Sequence, residues 1–213
     1  MKVLEKTMAY SPPLIFSKIE GIESKNGIQA EGWIITVGGT PKEILSHKPE
    51  FSYRRLITAS KMAKKLGAKI MGLGAFTKVV GDAGITVAEH SPIPITTGNS
   101  YSASATLWAA AEGTERLGLV TIPEGNEKLR MRNIHLPKNL VFACMAETIV
   151  LALEGRFEEY TIGRDIDWKK VKEIYKLGLK HGMKLAAISG LKGAYNDEDI
   201  NRIRDLALKA RMK

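Results

Sequence analysis

Asn139-Leu-Val-Phe-Ala-Cys-Met-Ala-Glu-Thr-Ile-Val-Leu-Ala-Leu-Glu-Gly155 is the stretch on which the reading of the chain turns. It is an almost continuous apolar run that holds the single cysteine of the protein, Cys144. Its apolar content and length predict a central helix, entered through Pro137 and closed by Glu154 and Gly155. On that reading the helix N-terminus lies nearly two turns before Cys144, too far for its dipole to act strongly on the thiol. Two readings of Cys144 stand open. It is a small buried hydrophobe, or it is the nucleophile of an acyl transfer, since sulfur attacks a thioester readily and forms another of similar energy. Glu147, three residues on, shares a helix side with it and is a candidate for proton transfer. A neighbouring carboxylate works against thiolate formation, which weakens that role.

Upstream of this run, elements of both kinds alternate. Residues 14–37 read as two β-strands joined at Asn26-Gly27, a strong hairpin signal. Thr40 and Pro41 have the chemistry of a helix start. Residues 51–66 place Leu56, Ala59, Met62 and Ala63 on one face and lysines on the other, and Gly67 stops that helix. Ala68–Gly74 and Ile93–Thr96 read as buried strands around a short helix near 82–89, and 100–118 as a further helix. Downstream, 119–136 read as a hairpin turning at Pro123–Asn126, 155–167 as connecting structure, and 168–181 and 197–211 as helices, the last capped by Asp197 with Asp199 in its first turn. The pattern defines an α/β protein, a small mixed sheet with helical cover and a helical C-terminal part. It divides at 118 into an N-terminal α/β lobe (1–118) and a hairpin-plus-helix part (119–213), packed as one domain.

Composition narrows the function classes. The 213 residues carry 32 Lys+Arg against 23 Asp+Glu, a net charge of +9. A basic surface attracts polyanions such as CoA phosphates or acidic carrier proteins, although much of the charge, at Lys61, Lys64, Lys65, Lys169, Lys170, Lys172, Lys176 and Lys180, falls on solvated helix faces. No helix-turn-helix, aromatic RNA-binding signature or zinc finger points to nucleic acid. One cysteine excludes a disulfide framework and suits a reducing compartment. His47, His90, His135 and His181 lack metal-ligand spacing, and His135, the histidine nearest to Cys144 in sequence, has little claim as its base. The longest apolar run is too short to span a bilayer, and no signal-peptide core opens the chain. The expectation is a cytoplasmic protein without a metal centre.

Two loops accompany Cys144 as candidates for substrate binding. One follows a strand through Gly72, Gly74, Phe76 and Thr77. The other, Thr96-Thr97-Gly98-Asn99-Ser100-Tyr101, joins a strand to a helix, a junction that aims N–H groups and hydroxyls at one point and suits an anion or a polarised carbonyl oxygen. It is also ordinary capping chemistry. Neither loop is a dinucleotide fingerprint, because no G-x-G-x-x-G occurs.

Taken together, Glu31-Gly-Trp-Ile-Ile-Thr-Val37, Gly72-Leu-Gly-Ala-Phe-Thr-Lys-Val-Val-Gly-Asp-Ala-Gly-Ile-Thr-Val87, Thr96–Tyr101 and Val141-Phe-Ala-Cys-Met-Ala-Glu-Thr148 resemble the long-chain fatty acyl-carrier-protein reductases. They are closer still to bacterial and archaeal relatives labelled predicted amino-acid or shikimate-type dehydrogenases. The resemblance runs from about Pro12 to about Arg204. It implies reduction of an acyl thioester to a fatty aldehyde with NADPH, with Cys144 at the position of the acylated cysteine. It also implies a Rossmann module between a helix like 100–118 and a strand like 119–123. Here Gly118 and Leu119 are adjacent, so that module is missing, as is part of the usual N-terminal extension. The expectation is therefore an acyl-accepting chain that binds no cofactor, with acyl carrier protein or a CoA thioester as partner and the oligomeric state left open. Thr96, Thr97, Gly98, Asn99, Ser100, Phe76 and Thr77 then line the substrate, and the apolar side chains of 140–153 hold its tail. The alternatives are a non-catalytic acyl- or carrier-binding scaffold, and an assembly protein whose nucleotide module is supplied by another chain.

Overall fold

Strand β1 (Leu14–Glu23) turns back on β2 (Gln29–Thr36) in an antiparallel hairpin. Gly27 takes the left-handed conformation its turn requires (φ +76°), and the Ser24 hydroxyl accepts from the amides of Asn26 and Ile28. Strict alternation would send Ile19 and Ile22 to opposite faces. A bulge between them keeps both in the core. Gly21 sits in that bulge at φ +75°, and a Cβ there would lie 2.3 Å from the Lys128 carbonyl oxygen. This close approach lets Arg130 pair with Glu20 along the hairpin.

The computed structural model describes residues 10–74, 77, 81–111, 119–123, 128–136, 139–186, 189–190, 193–194, 202, 205 and 209. Helix α1 (Pro41–Ser46) begins as expected, with Thr40 accepting from the Glu43 amide and Pro41 in the first turn. In α2 (Pro49–Lys65), Leu56, Ala59 and Ala63 are buried while Lys61, Lys64 and Lys65 face solvent. The two following strands are only two residues each, β3 (Met71–Gly72) and β4 (Ile95–Thr96), paired in parallel across the short helix α3 (Ile85–His90). Helix α4 (Asn99–Ala111) follows β4 through Thr97 and Gly98. Residues 112–118, into which the sequence extends this helix, lie outside the described residues.

The second half departs from the sequence reading at two places. Residues 119–136 do not fold as a hairpin on themselves. Strand β5 (Leu119–Thr121) is the centre of a three-stranded antiparallel sheet, between β6 (Leu140–Phe142) and β7 (Lys184–Leu185); part of the expected turn, 124–127, lies outside the described residues. The central helix also starts later than its apolar run. Leu140–Phe142 is spent on β6, and α5 spans Ala143–Leu153. Helix α6 (Trp168–Lys180), capped by the Asp167 carboxylate on the Lys169 amide, packs across α4 and α5. A final strand pair, β8 (Ser189–Gly190) and β9 (Gly193–Ala194), is described, as are the helical residues Arg202, Asp205 and Lys209; Asp197 and Asp199 lie outside.

Helix α5 is the axis of the molecule. Ala146, Val150 and Leu151 are fully buried among Ile19 and Ile22 of β1, Tyr101 and Ala105 of α4, Val120 of β5, and Ile174 of α6. A smaller cluster, Leu56, Leu73, Val87, Ala88 and Ile95, joins α2, α3 and the parallel strand pair. The protein is thus α/β, with small mixed sheets under helical cover. Among the described residues no helix is long and apolar enough to cross a membrane.

Candidate functional site

The later start of α5 relocates Cys144. It is the second residue of the helix, half-buried, directly after the β6–α5 junction. Far from being two turns inside, the thiol stands in the first turn, where a helix stabilises negative charge best. Phe142, at the capping position, offers no side-chain hydrogen bond to the first-turn amides.

The Thr96–Tyr101 loop lies against this turn. Gly98 has φ +72°, and a Cβ on it would fall 2.4 Å from the Cys144 Cα and 2.5 Å from its carbonyl oxygen. Two helix N-termini, those of α4 and α5, therefore meet with only a glycine α-carbon between them. The resemblance singled out both segments, and the fold brings them into contact.

What the loop holds is Glu147. Its carboxylate is fully buried and accepts from the Thr96 hydroxyl on one oxygen and from the Tyr101 amide, at 2.8 Å, on the other. The converging donors that suit an external anion are thus filled from within, by a side chain of α5. Burial pushes the Glu147 carboxyl above the usual carboxylate range, and the hydrogen bonds from Thr96 and Tyr101 offset this only in part. Enclosed and turned toward α4, Glu147 has the geometry of an internal cap rather than of a proton shuttle open to substrate.

A third segment completes the arrangement. Thr161, from the 155–167 connection, donates its amide to the Thr96 hydroxyl oxygen at 3.1 Å and its own hydroxyl to Ser100 at 2.7 Å. Its carbonyl accepts the Thr97 amide at 2.8 Å and the Thr97 hydroxyl at 3.1 Å. Thr96, Thr97 and Ser100 are fully buried and partnered in this way, so the side chains expected to line substrate instead tie three segments together. Asn99 stays half-buried at the start of α4. Sequence reading missed Thr161, which has no motif around it; only the fold brings it beside residues some sixty positions earlier. Thr77 folds back, its amide and hydroxyl both on the Gly74 carbonyl, and Phe76 lies outside the described residues.

Beyond Ser100 and Thr161 a cavity of about 200 Å³ opens, lined also by Tyr160, Asp165, Asp167 and Lys170; Cys144 is not part of its wall. The apolar side chains of α5 do not form an acyl channel either. Ile149, Val150, Leu151 and Leu153 are in the core, as is Val141 of β6, and beside Cys144 Phe142, 44% exposed, and half-buried Met145 reach solvent. His135 is exposed. His181 is fully buried at the far end of α5, where it meets Glu154 at 2.8 Å.

The raised Glu147 carboxyl has a measurable consequence. A group whose folded value exceeds its unfolded one contributes stability below the unfolded value, near 4.5, and loses it as pH rises through the folded one. Glu147→Gln, which keeps the shape and one of the two acceptor oxygens, should therefore be more stable than the parent at pH 8, with the gap closing toward pH 4. Thermal melting across that range checks it; a gap that widens in acid would mean the carboxylate is held charged.

No family model matches the chain. Aminotransferase PigE of Serratia sp. (strain ATCC 39006) is 33% identical to it over 87 residues, covering 41% of this chain and 10% of that protein. The chain thus spans about a tenth of the length of this relative.

Proposed function

We propose that the chain is the acyl-accepting part of a fatty acyl-thioester reductase-like protein. Cys144 Sγ attacks the thioester carbonyl, the bond from carbonyl to the carrier sulfur breaks, and the carrier leaves as a thiol after taking up the proton. One thioester replaces another, so the step needs no further reactant. The observation that carries this reading is the place of Cys144, half-exposed in the first turn of α5 with Gly98 against it. The sequence resemblance to the acyl-carrier-protein reductases supports it. Reduction to aldehyde would need NADPH on a nucleotide-binding module from elsewhere, and no activity with NADPH is expected of the chain alone. The carrier is a CoA thioester or acyl carrier protein, drawn by the net charge of +9, in the cytoplasm. The name of the Serratia relative is not carried over, because the match covers 10% of that protein.

A second reading has its own support. Most large apolar side chains of α5 are in the core, while exposed Phe142 and half-buried Met145 flank Cys144, a surface on which an acyl tail or a carrier can rest without turnover. Intact mass after incubation with palmitoyl-CoA separates the two. One acyl group gained, and lost in Cys144→Ser, is the expected result. Binding that survives the substitution without any adduct would favour the scaffold, and aldehyde formed only on adding a separate nucleotide-binding protein would favour assembly in trans.

A further inference from the structure

Glu147 is a fully buried carboxylate that the proposed transfer does not consume, and its hydrogen bonds from the Thr96 hydroxyl and the Tyr101 amide tie it to both ends of the segment lying on Cys144. Tyr101, whose amide it accepts, is itself locked in the core: a Cβ on Gly178 of α6 would fall 2.3 Å from the Tyr101 hydroxyl oxygen. Thr96 is held from its other side by the Thr161 amide, and Thr97 is pinned twice to the Thr161 carbonyl. The loop is therefore fixed at both ends, with Glu147 filling its centre. Gly98 lies between those anchors and touches the Cys144 backbone. Since Glu147 and Cys144 share one helix, three residues apart, the carboxylate fixes the loop relative to the very turn that bears the thiol.

We infer that Glu147 is a positioning residue for Cys144, filling the Thr96–Tyr101 nest from within so that Gly98 is seated on the first turn of α5 and the thiol keeps one orientation toward an incoming thioester. The inference rests on the reading of Cys144 as acyl acceptor. Thr96 and Thr161 act through Glu147 in the same device. The role needs hydrogen-bond acceptance and shape, not proton exchange. Glutamine can meet it, accepting from the Tyr101 amide and donating to the second lone pair of the Thr96 oxygen.

The test is the rate of acyl transfer from palmitoyl-CoA to Cys144, followed by intact mass over a pH series in the parent, Glu147→Ala, Glu147→Gln and Thr96→Val. Positioning predicts a loss on the order of a hundredfold in Glu147→Ala, the scale of an ångström-sized misplacement. It predicts recovery of most of that loss in Glu147→Gln, with the parent's pH profile, and a smaller loss in Thr96→Val. Should Glu147→Ala fail to melt cooperatively, Thr96→Val against Glu147→Gln decides alone. Equal rates in all four overturn the inference. Equally slow Glu147→Ala and Glu147→Gln with an altered pH profile overturn it in favour of proton transfer. No adduct on the parent sinks the acyl-accepting reading itself, a result distinct from either.

Discussion

Gly98→Ala unfolds at lower urea than the parent, with a loss of about 2–4 kcal/mol. Two terms add. Alanine at φ +72° meets the left-handed penalty, which is about 1–2 kcal/mol. The new methyl then falls 2.4–2.6 Å from the Cα, carbonyl oxygen and Cβ of Cys144, inside any van der Waals contact and against backbone that cannot swing away. Gly27→Ala isolates the first term, since φ is +76° there and a Cβ meets nothing within 4 Å. If the two substitutions weaken the protein equally, the close approach of the two helix N-termini is wrong. The larger loss at Gly98, together with slower alkylation of Cys144 by iodoacetamide, confirms it.

Leu151→Ala should be as severe. The side chain is fully buried on the helix around which the larger core is built. Its removal costs the transfer free energy of the lost methyls plus a cavity that rigid neighbours cannot fill, about 3–4 kcal/mol. For a chain of this size that corresponds to a fall in melting temperature of roughly 10 °C. Phe142→Ala, two residues before Cys144 but 44% exposed, is the comparison and should change the melting temperature far less. Equal effects at both positions would deny α5 its place at the centre.

The N-terminal half was legible because its signals are local. Asn26-Gly27 makes a turn, Thr40-Pro41 starts a helix, and the spacing of Leu56, Ala59 and Ala63 defines a face, each through neighbours within a few residues. The second half hid its arrangement for two physical reasons. Asn139–Leu153 is so uniformly apolar that no change of period marks where β6 ends and α5 begins, and the position of Cys144 in the helix depends on that boundary. The partners of β5 lie about twenty and about sixty-five residues away, where no turn signal reaches. The site was half visible for the same reason. The Thr96–Tyr101 loop was readable as a cluster of converging donors, but that its anion is Glu147, with Thr161 as clasp, follows only from the contact of three separated segments.

The order of strands in the small sheet also bears on synthesis. Strand β5 is made about sixty residues before β7, so one of its two edges finds its partner only when Lys184 and Leu185 have been added. Until then Val120, fully buried in the finished protein, flanks an unpaired edge open to other chains. A chain that ends before residue 184 leaves that edge unpaired, and should therefore aggregate more readily than one that carries β7.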